Sequence, residues 1–341
     1  MAPSLSIEIE TVTAEETGSR LDRWLKRRRS LTQGEVEKWI RTGQVRVDGA
    51  RAKSNTRIVT GQKIRIPPKQ SAQKPGGTYA WTDKKSEAEK AEMRFIQELV
   101  LHEDKDLFVL NKPPGLAVQG GTNITRHVDG LIGLLQGDSE YRPKLVHRLD
   151  RETSGLLVIA KHPAAAAELG ALFRSRALEK LYWAITVKVP QPHSGQVRCW
   201  MAKGNGEDEM EDKERMYRAR QGMLGAKHAI TDYAVISTAG QRAAWVALKP
   251  VTGRTHQLRF HMSELGASIL GDQKYATRKE VPTGIASGLH LHARRLILPR
   301  PKQKPLDISA PLPAHMQETF KTLGFLESEA REDILLPDRR G

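Results

Sequence analysis

The residues that could do chemistry gather in four short stretches. The first is His147-Arg148-Leu149-Asp150-Arg151-Glu152-Thr153-Ser154-Gly155, followed by the apolar run 156–160. It sets one acid, Asp150, between two arginines, in a turn that glycine closes. Flanking cations favour the charged form of a carboxylate, which can then act as a nucleophile or a base. The plainer reading of an acid between arginines is a salt-bridged turn.

The second stretch is Lys180-Leu181-Tyr182-Trp183-Ala184-Ile185-Thr186-Val187. Alternation puts Leu181, Trp183, Ile185 and Val187 on one face of a strand, the natural core face. Tyr182 falls on the other, with Lys180, Ala184 and Thr186, where a cleft residue would sit; the bland alternative is a surface tyrosine. The third stretch, Thr252-Gly253-Arg254-Thr255-His256-Gln257-Leu258-Arg259-Phe260-His261-Met262, follows an apolar strand over 243–248. Leu258, Met262 and Leu265 supply the buried stripe of a helix. Arg254 and Arg259 bracket its first turn, where either could meet an acid or a phosphate. The fourth, Asn111-Lys112-Pro113-Pro114-Gly115, stiffens a loop at the end of strand 107–110 and is a weak signal alone.

These stretches need a domain to position them, and the rest of the chain supplies one. From about 94 to about 326, apolar strands alternate with helices over a length sufficient for one sizeable domain. A smaller unit precedes it from about Gly18. Leu21, Trp24 and Leu25 recur at helical spacing, and Arg20, Arg23, Lys26, Arg27, Arg28 and Arg29 share that helix. Thr32 and Glu35 form a capping-box pattern ahead of a second helix marked by Val36, Trp39 and Ile40, which Gly43 can end. Val45-Arg46-Val47 reads as a strand, Asp48-Gly49 as a tight turn, and Lys63-Ile64-Arg65-Ile66 as another strand. Arg46 and Arg65 would then join the basic surface of the first helix. Between the units, 67–93 is rich in Pro, Gly, Gln, Ser, Lys and Glu and reads as a linker. The last residues, 327–341, form a charged tail.

Bulk properties narrow the partners. The formal net charge is +15 over 341 residues, which favours a polyanion, with nucleic acid ahead of an anionic membrane surface. A single cysteine, Cys199, permits no intrachain disulfide and suits a reducing compartment. Glu8, Glu10, Glu15 and Glu16 are unlike a transit peptide, and no apolar run matches a signal peptide or a membrane span, so a cytoplasmic protein is expected. Eleven histidines invite a search for metal ligands. His290 and His292 are spaced for one strand face, but no cysteine pair or His-Glu-x-x-His helix accompanies them, so no metal is expected. Walker-type and dinucleotide loops are absent as well.

Taken in order, the KPPG loop, the HRLDRETSG segment, the K-x-Y strand and the GRTHQLRFHM helix resemble the RluA-type family of pseudouridine synthases. The likeness extends to Gly271-Asp272-Gln273-Lys274-Tyr275 and Leu289-His290-Leu291-His292-Ala293. The front unit, with Gly43-Gln44-Val45-Arg46-Val47-Asp48-Gly49, is similar to an S4-like module. The NKPPGLAVQGG form with Gly120 and Gly121 is most like the RluC branch, which modifies 23S ribosomal RNA. Two departures stand out: Gly266-Ala267-Ser268 where relatives carry Gly-His-Pro, and an acidic stretch over 204–216.

The resemblance implies an α+β fold. A mixed, mainly antiparallel sheet flanked by helices would form the catalytic domain over 94–326, behind an S4-like α/β module over 18–66. It implies an isomerase that turns uridine of 23S ribosomal RNA into pseudouridine, as a monomer and without cofactor or metal. Asp150 would be the catalytic aspartate, Tyr182 the tyrosine stacking on the target base, and Arg259 the arginine paired with the aspartate. Arg148 would enter the RNA stack where uridine leaves. His147, Arg151, Lys112 and Arg254 are expected to contact RNA beside it, and Arg23, Lys26, Arg27, Arg28, Arg46 and Arg65 across the front module. Whether Asp150 attacks the ribose, attacks the base or removes a ribose proton stays open. So do a transfer-RNA substrate and a non-catalytic S4-type RNA-binding role.

Overall fold

The computed structural model describes residues 8–29, 33–67, 87–121, 124–175, 177–204, 215–276, 284–300, 304–331 and 335. The chain divides into two compact units, Met1–Lys84 and Lys85–Gly341.

In the first unit, strand β1 (Glu8–Thr11) leads to helices α1 (Leu21–Arg29) and α2 (Gln33–Arg41). Strands β2 (Arg46–Val47), β3 (Ala50–Arg51) and β4 (Lys63–Ile66) follow, in the sheet order β1-β4-β2-β3. Leu21, Trp24 and Leu25 pack with Val36, Ile40, Val47, Ile64 and Ile66 into one apolar core. The turn after β2 needs left-handed backbone at two successive residues, and Asp48 and Gly49 adopt φ of 48° and 82°; Asp and Gly are among the residues that do so most readily. The unit begins earlier than the 18 expected from sequence, because β1 pairs antiparallel with β4 through Glu8–Ile66 and Thr11–Lys63. The capping box at Thr32 lies outside the described residues.

The second unit opens with α3 (Glu87–Glu98), which starts inside the segment expected to be linker. Its strands are β5 (Val100–Glu103), β6 (Leu107–Lys112), β7 (Lys144–Leu145), β8 (Ser154–Ala160), β9 (Glu179–Val187), β10 (Ser194–Lys203), β11 (Met216–Ala219), β12 (Lys227–Ala239), β13 (Ala243–Pro250), β14 (Leu291–Leu298) and β15 (Leu306–Ser309). Among the described residues they form one mixed sheet, ordered β11-β10-β12-β13-β9-β14-β8-β6-β5, with β15 beside β14 and β7 beside β8. The pairing of β14 with β8 is parallel and the other ladders are antiparallel. Helices α4 (Val128–Leu131), α5 (Pro163–Ser175), α6 (Gln257–Glu264) and α7 (Ala314–Leu323) accompany it. This is the α+β architecture expected from sequence. β8 is buried at every position, as a central strand covered on both faces should be. The start of the expected charged tail is anchored: Arg294 donates to Glu327 at 2.8 Å, and Ala330 and Leu335 pack against the core around Trp245.

One lateral row of the sheet sets up the site. Leu248 of β13 faces Tyr182 of β9, Tyr182 faces Ala293 of β14, Ala293 faces Gly155 of β8, and Gly155 faces Lys112 of β6. Three of the four sequence stretches thus meet in a single register. Gly155 makes the parallel approach possible. Its φ is +104°, and a Cβ there would lie 2.4 Å from the Ala293 carbonyl oxygen, an approach only glycine allows.

Candidate active site

Asp150 sits in the loop that enters β8, closed by a hydrogen bond from the Thr153 amide to the Asp150 carbonyl at 3.2 Å. Lys112 stitches that loop to the KPPG loop. Its Nζ is fully buried and donates to the carbonyls of Pro113, Leu116 and Arg151 at 2.8, 2.9 and 2.9 Å. Burial pushes the Lys112 ammonium down to about 7, with the charges of Glu152 and Asp150 opposing the change. The three carbonyls match its three N–H donors one for one. Two further bonds cross the seam: the Gly115 amide to the Arg151 carbonyl at 3.0 Å, and Arg151 Nε to the Gly115 carbonyl at 3.1 Å.

Arg259 arrives from α6. The start of this helix is fixed by Gln257, which accepts from the Arg254 amide and the Thr252 hydroxyl and donates to the Ile230 carbonyl. The six residues from Gln257 to Met262 are all buried. The Arg259 guanidinium forks onto Asp272, with Nε and Nη2 each 2.7 Å from a carboxylate oxygen. Its Nη1 stands 3.7 Å from Asp150 Oδ2. Burial alone would weaken its positive charge, but the bonds and charge of Asp272 override this and raise its pKa further. Asp272 also accepts from the amides of Lys274 and Tyr275, at 2.9 and 3.1 Å. It stands next to Gly271, which has φ +77° and lies so close to Gly288 that a Cβ would fall 1.8 Å from its carbonyl oxygen. The arginine expected to pair with Asp150 is therefore held chiefly by a second aspartate, and presents one remaining nitrogen to the first.

His256 completes the surroundings of Asp150. It caps α6 in the left-handed region, φ 53°, with Nε2 3.9 Å from Asp150 Oδ2. The Tyr275 hydroxyl accepts from the Met216 amide at 2.8 Å and lies 3.2 Å from His256 Nδ1. The same hydroxyl thus joins the Met216 backbone to the His256 ring, and holds the ring with its Nε2 toward Asp150. Burial lowers the His256 pKa, against the pull of Asp150.

Asp150, Tyr182, Arg259, His256, Arg148, His147 and Arg254 all line one cleft of 310 Å³. Tyr182 is half-buried; burial first, and then the charge of Asp150, push its phenol well above the ordinary range. Arg148 is exposed.

A family model described as RNA pseudouridylate synthase matches residues 106–264, and one for the S4 domain matches residues 19–64. A Rickettsia felis protein named ribosomal large subunit pseudouridine synthase C is 34% identical over 89% of this chain and 96% of its own. The protein of that name from Escherichia coli K12 is 30% identical over 93% of this chain and 97% of its own. The chain belongs to the RluA-type pseudouridine synthases. A solved structure, human RNA pseudouridylate synthase domain containing 4, superposes on the synthase with a TM-score of 0.58 at 32% identity, covering 70% of this chain and 97% of that one.

The synthase departs from the sequence reading at several positions. Lys112 cannot touch RNA, because its ammonium is enclosed by carbonyls. Arg151 gives its Nε to the KPPG loop and lies 3.4 Å from Glu152, yet its side chain stays 63% exposed. His147 is committed to the fold: its Nε2 accepts the Val158 amide at 2.8 Å and its ring stacks on Phe173 at 4.1 Å. Burial and the neighbouring Lys180 push it down to about 3. Arg254, by contrast, lies just ahead of α6 and lines the cleft, with its Nε donating to the His228 carbonyl at 3.2 Å. In the S4 unit, Arg23 and Arg27 are exposed, Lys26 is half-buried, and Arg65 points outward. Arg28 is engaged with Glu10 and Glu16, and Arg46 with the Gly49 carbonyl. His290 and His292 are fully buried and spent on structural bonds to Thr319 and Ser154, and no group of three or more possible metal ligands occurs among the described residues. Sequence reasoning gave no separate role to Asp272, His256 or Tyr275. The signal was present for Asp272, an acid directly after a glycine at the end of the apolar pair Ile269-Leu270.

Proposed function

We propose that the protein converts uridines of large-subunit ribosomal RNA to pseudouridine, with Asp150 as the catalytic carboxylate. The observation that carries this reading is the cleft itself. One carboxylate, 19% exposed, faces an arginine nitrogen at 3.7 Å, beside a tyrosine on the neighbouring strand row. The target base leaves its stack to reach such a cleft, and unpaired RNA gives it up at lower cost. In the isomerisation the N1–C1′ bond breaks, the uracil turns, and C5 bonds to C1′ while its proton is lost and N1 gains one. Asp150 serves as nucleophile or base in this sequence, with Arg259 Nη1 stabilising its charge. Tyr182 stacks on the uracil, and Arg148 takes the place of the departing uridine. A lone carboxylate also suits this chemistry better than glycoside hydrolysis, which uses a pair.

Large-subunit RNA is supported by the names of the relatives and by the S4 unit, and a single cysteine, which can form no intrachain disulfide, fits a reducing compartment such as the cytoplasm. Mapping pseudouridine across total RNA from cells with and without the gene tests the target. Loss of sites in 23S RNA is expected; loss confined to transfer RNA, or no loss, would overturn the assignment.

A further inference from the structure

A second chamber, of 520 Å³, adjoins the catalytic cleft. Phe173, Lys180, Pro250, Thr252, Gly253 and Arg254 line both spaces, so the two share a wall. The charged residues around the chamber are Arg174, Lys180, Lys249 and Arg254 against a single acid, Glu179. Four positive charges and one negative leave +3.

Most of this charge is uncompensated. Lys249 lies 3.6 Å from Glu179 Oε2, which accounts for the one acid. Among the described residues, Arg174, Lys180 and Arg254 have no carboxylate within ion-pair distance. Lys180 is half-buried, and burial is what lowers its ammonium pKa. It lies on the same strand face as Tyr182, two residues before it. A partly desolvated lysine beside two unpaired arginines is costly unless an anion completes it. The mechanism above uses none of these three charges on the reacting atoms.

We propose that this chamber seats the backbone phosphate next to the target uridine, gripped by Lys180 with Arg174 and Arg254. The proposal rests on the RNA pseudouridine synthase reading and deepens it. The substrate is a polymer, so once a base occupies the cleft its strand must leave through an adjoining space. This chamber is such a space, and its unpaired cations match a phosphodiester. Lysine binds phosphate as a point charge, and arginine can add a fork.

The test is single-turnover pseudouridine formation on an RNA oligonucleotide carrying the target site. In two versions, the phosphodiester on the 5′ or the 3′ side of the target is replaced by a neutral methylphosphonate. Full-length wild type is expected to lose about ten- to a hundredfold in kcat/KM at one of the two linkages, the range for a hydrogen bond to a charged group. Lys180→Met, which keeps the apolar stem, and Arg174→Ala, at an exposed position, should each lose about tenfold on unmodified RNA. At the sensitive linkage Lys180→Met should then lose little more, because the charge it would have met is gone. Its binding should also fall less steeply with salt, by about one unit in the log–log slope. Losses that multiply, or equal rates on both modified RNAs and native RNA, would overturn the proposal. Competition by inorganic phosphate with no methylphosphonate effect would make the chamber a free-anion site and overturn it too. The enzyme reading is judged separately: no product from wild type on native RNA would sink that reading, whereas product without linkage sensitivity sinks only the phosphate seat.

Discussion

Replacing Asp272 by asparagine is the most demanding test of how the active site is held. Asp272 is fully buried at its side chain and Arg259 is 6% exposed. Two hydrogen bonds of 2.7 Å join them. In Asp272→Asn one of the two oxygens becomes an NH2, which opposes an arginine N–H instead of accepting from it. The guanidinium keeps its charge in a buried place and loses its main counter-ion. Removing one partner of such a pair costs about 3–5 kcal/mol. For a unit of this size that lowers Tm by about 6–20 °C. The freed guanidinium has one other acid in reach, Asp150, already 3.7 Å away. Arg259 will close on it and occupy a carboxylate the reaction needs, so the single-turnover rate should fall as well. Thermal melting and single-turnover kinetics on the same preparation read both effects. The double variant Asp272→Asn with Arg259→Met provides the check, since it removes the orphaned charge. It should melt higher than Asp272→Asn alone. A single variant melting within about 2 °C of wild type, or additive losses in the double variant, would refute the reasoning.

Asp150→Asn is expected to abolish pseudouridine formation on a ribosomal RNA fragment while RNA affinity stays within about twofold; clear residual turnover would remove Asp150 from the chemistry. Lys112→Met leaves three buried carbonyls without a donor and should cost about 3 kcal/mol or more in urea unfolding, although Lys112 touches no RNA. His261, His290 and His292 are buried with pKa values pushed down to about 4 from 6.5, burial being the first cause for each. The unfolded chain therefore binds more protons between pH 4 and 6.5, and stability present above pH 6.5 is lost as pH falls. At pH 5 the loss should be about 2 kcal/mol per histidine, and a flat urea midpoint from pH 7 to 5 would contradict it. In the S4 unit, Arg23→Ala with Arg27→Ala should lower the salt slope of RNA binding by about two, and Arg28→Ala by much less, because Arg28 already faces Glu10 and Glu16; equal slopes for the two variants would show that this helix face is not the contact.

Much of this arrangement was legible in the residues. Tyr182 faces the cleft because a strand alternates and Trp183 takes the core side, a rule that needs no tertiary knowledge. Asp48-Gly49 announced its turn for the same kind of local reason. What could not be read was choice among long-range partners. Arg259 had two acids available, and which one its fork would meet depended on Gly271 approaching Gly288 closely enough to bring Asp272 beneath α6. Lys112 was expected to contact RNA through its place in the KPPG loop of the resemblance. Its burial follows from three carbonyls that converge only when two distant loops dock. The charges of the second chamber were likewise scattered over α5, β9, β13 and the turn after β13, with no motif linking them.

The lateral row from Lys112 to Leu248 has a consequence for the order of events during synthesis. Gly155 and Ala293 meet across a separation of 138 residues, as do Ser154 and His292. Closing so long a loop is the entropically expensive part of building the sheet, and non-local pairings of this kind form slowly. A ribosome that has produced the Asp150 and Tyr182 segments has made both principal side chains, yet β14 between them is still missing. The nascent chain can thus carry an exposed S4 unit well before it carries a competent cleft. Binding becomes possible first, and chemistry only once α6, Asp272 and β14 have emerged.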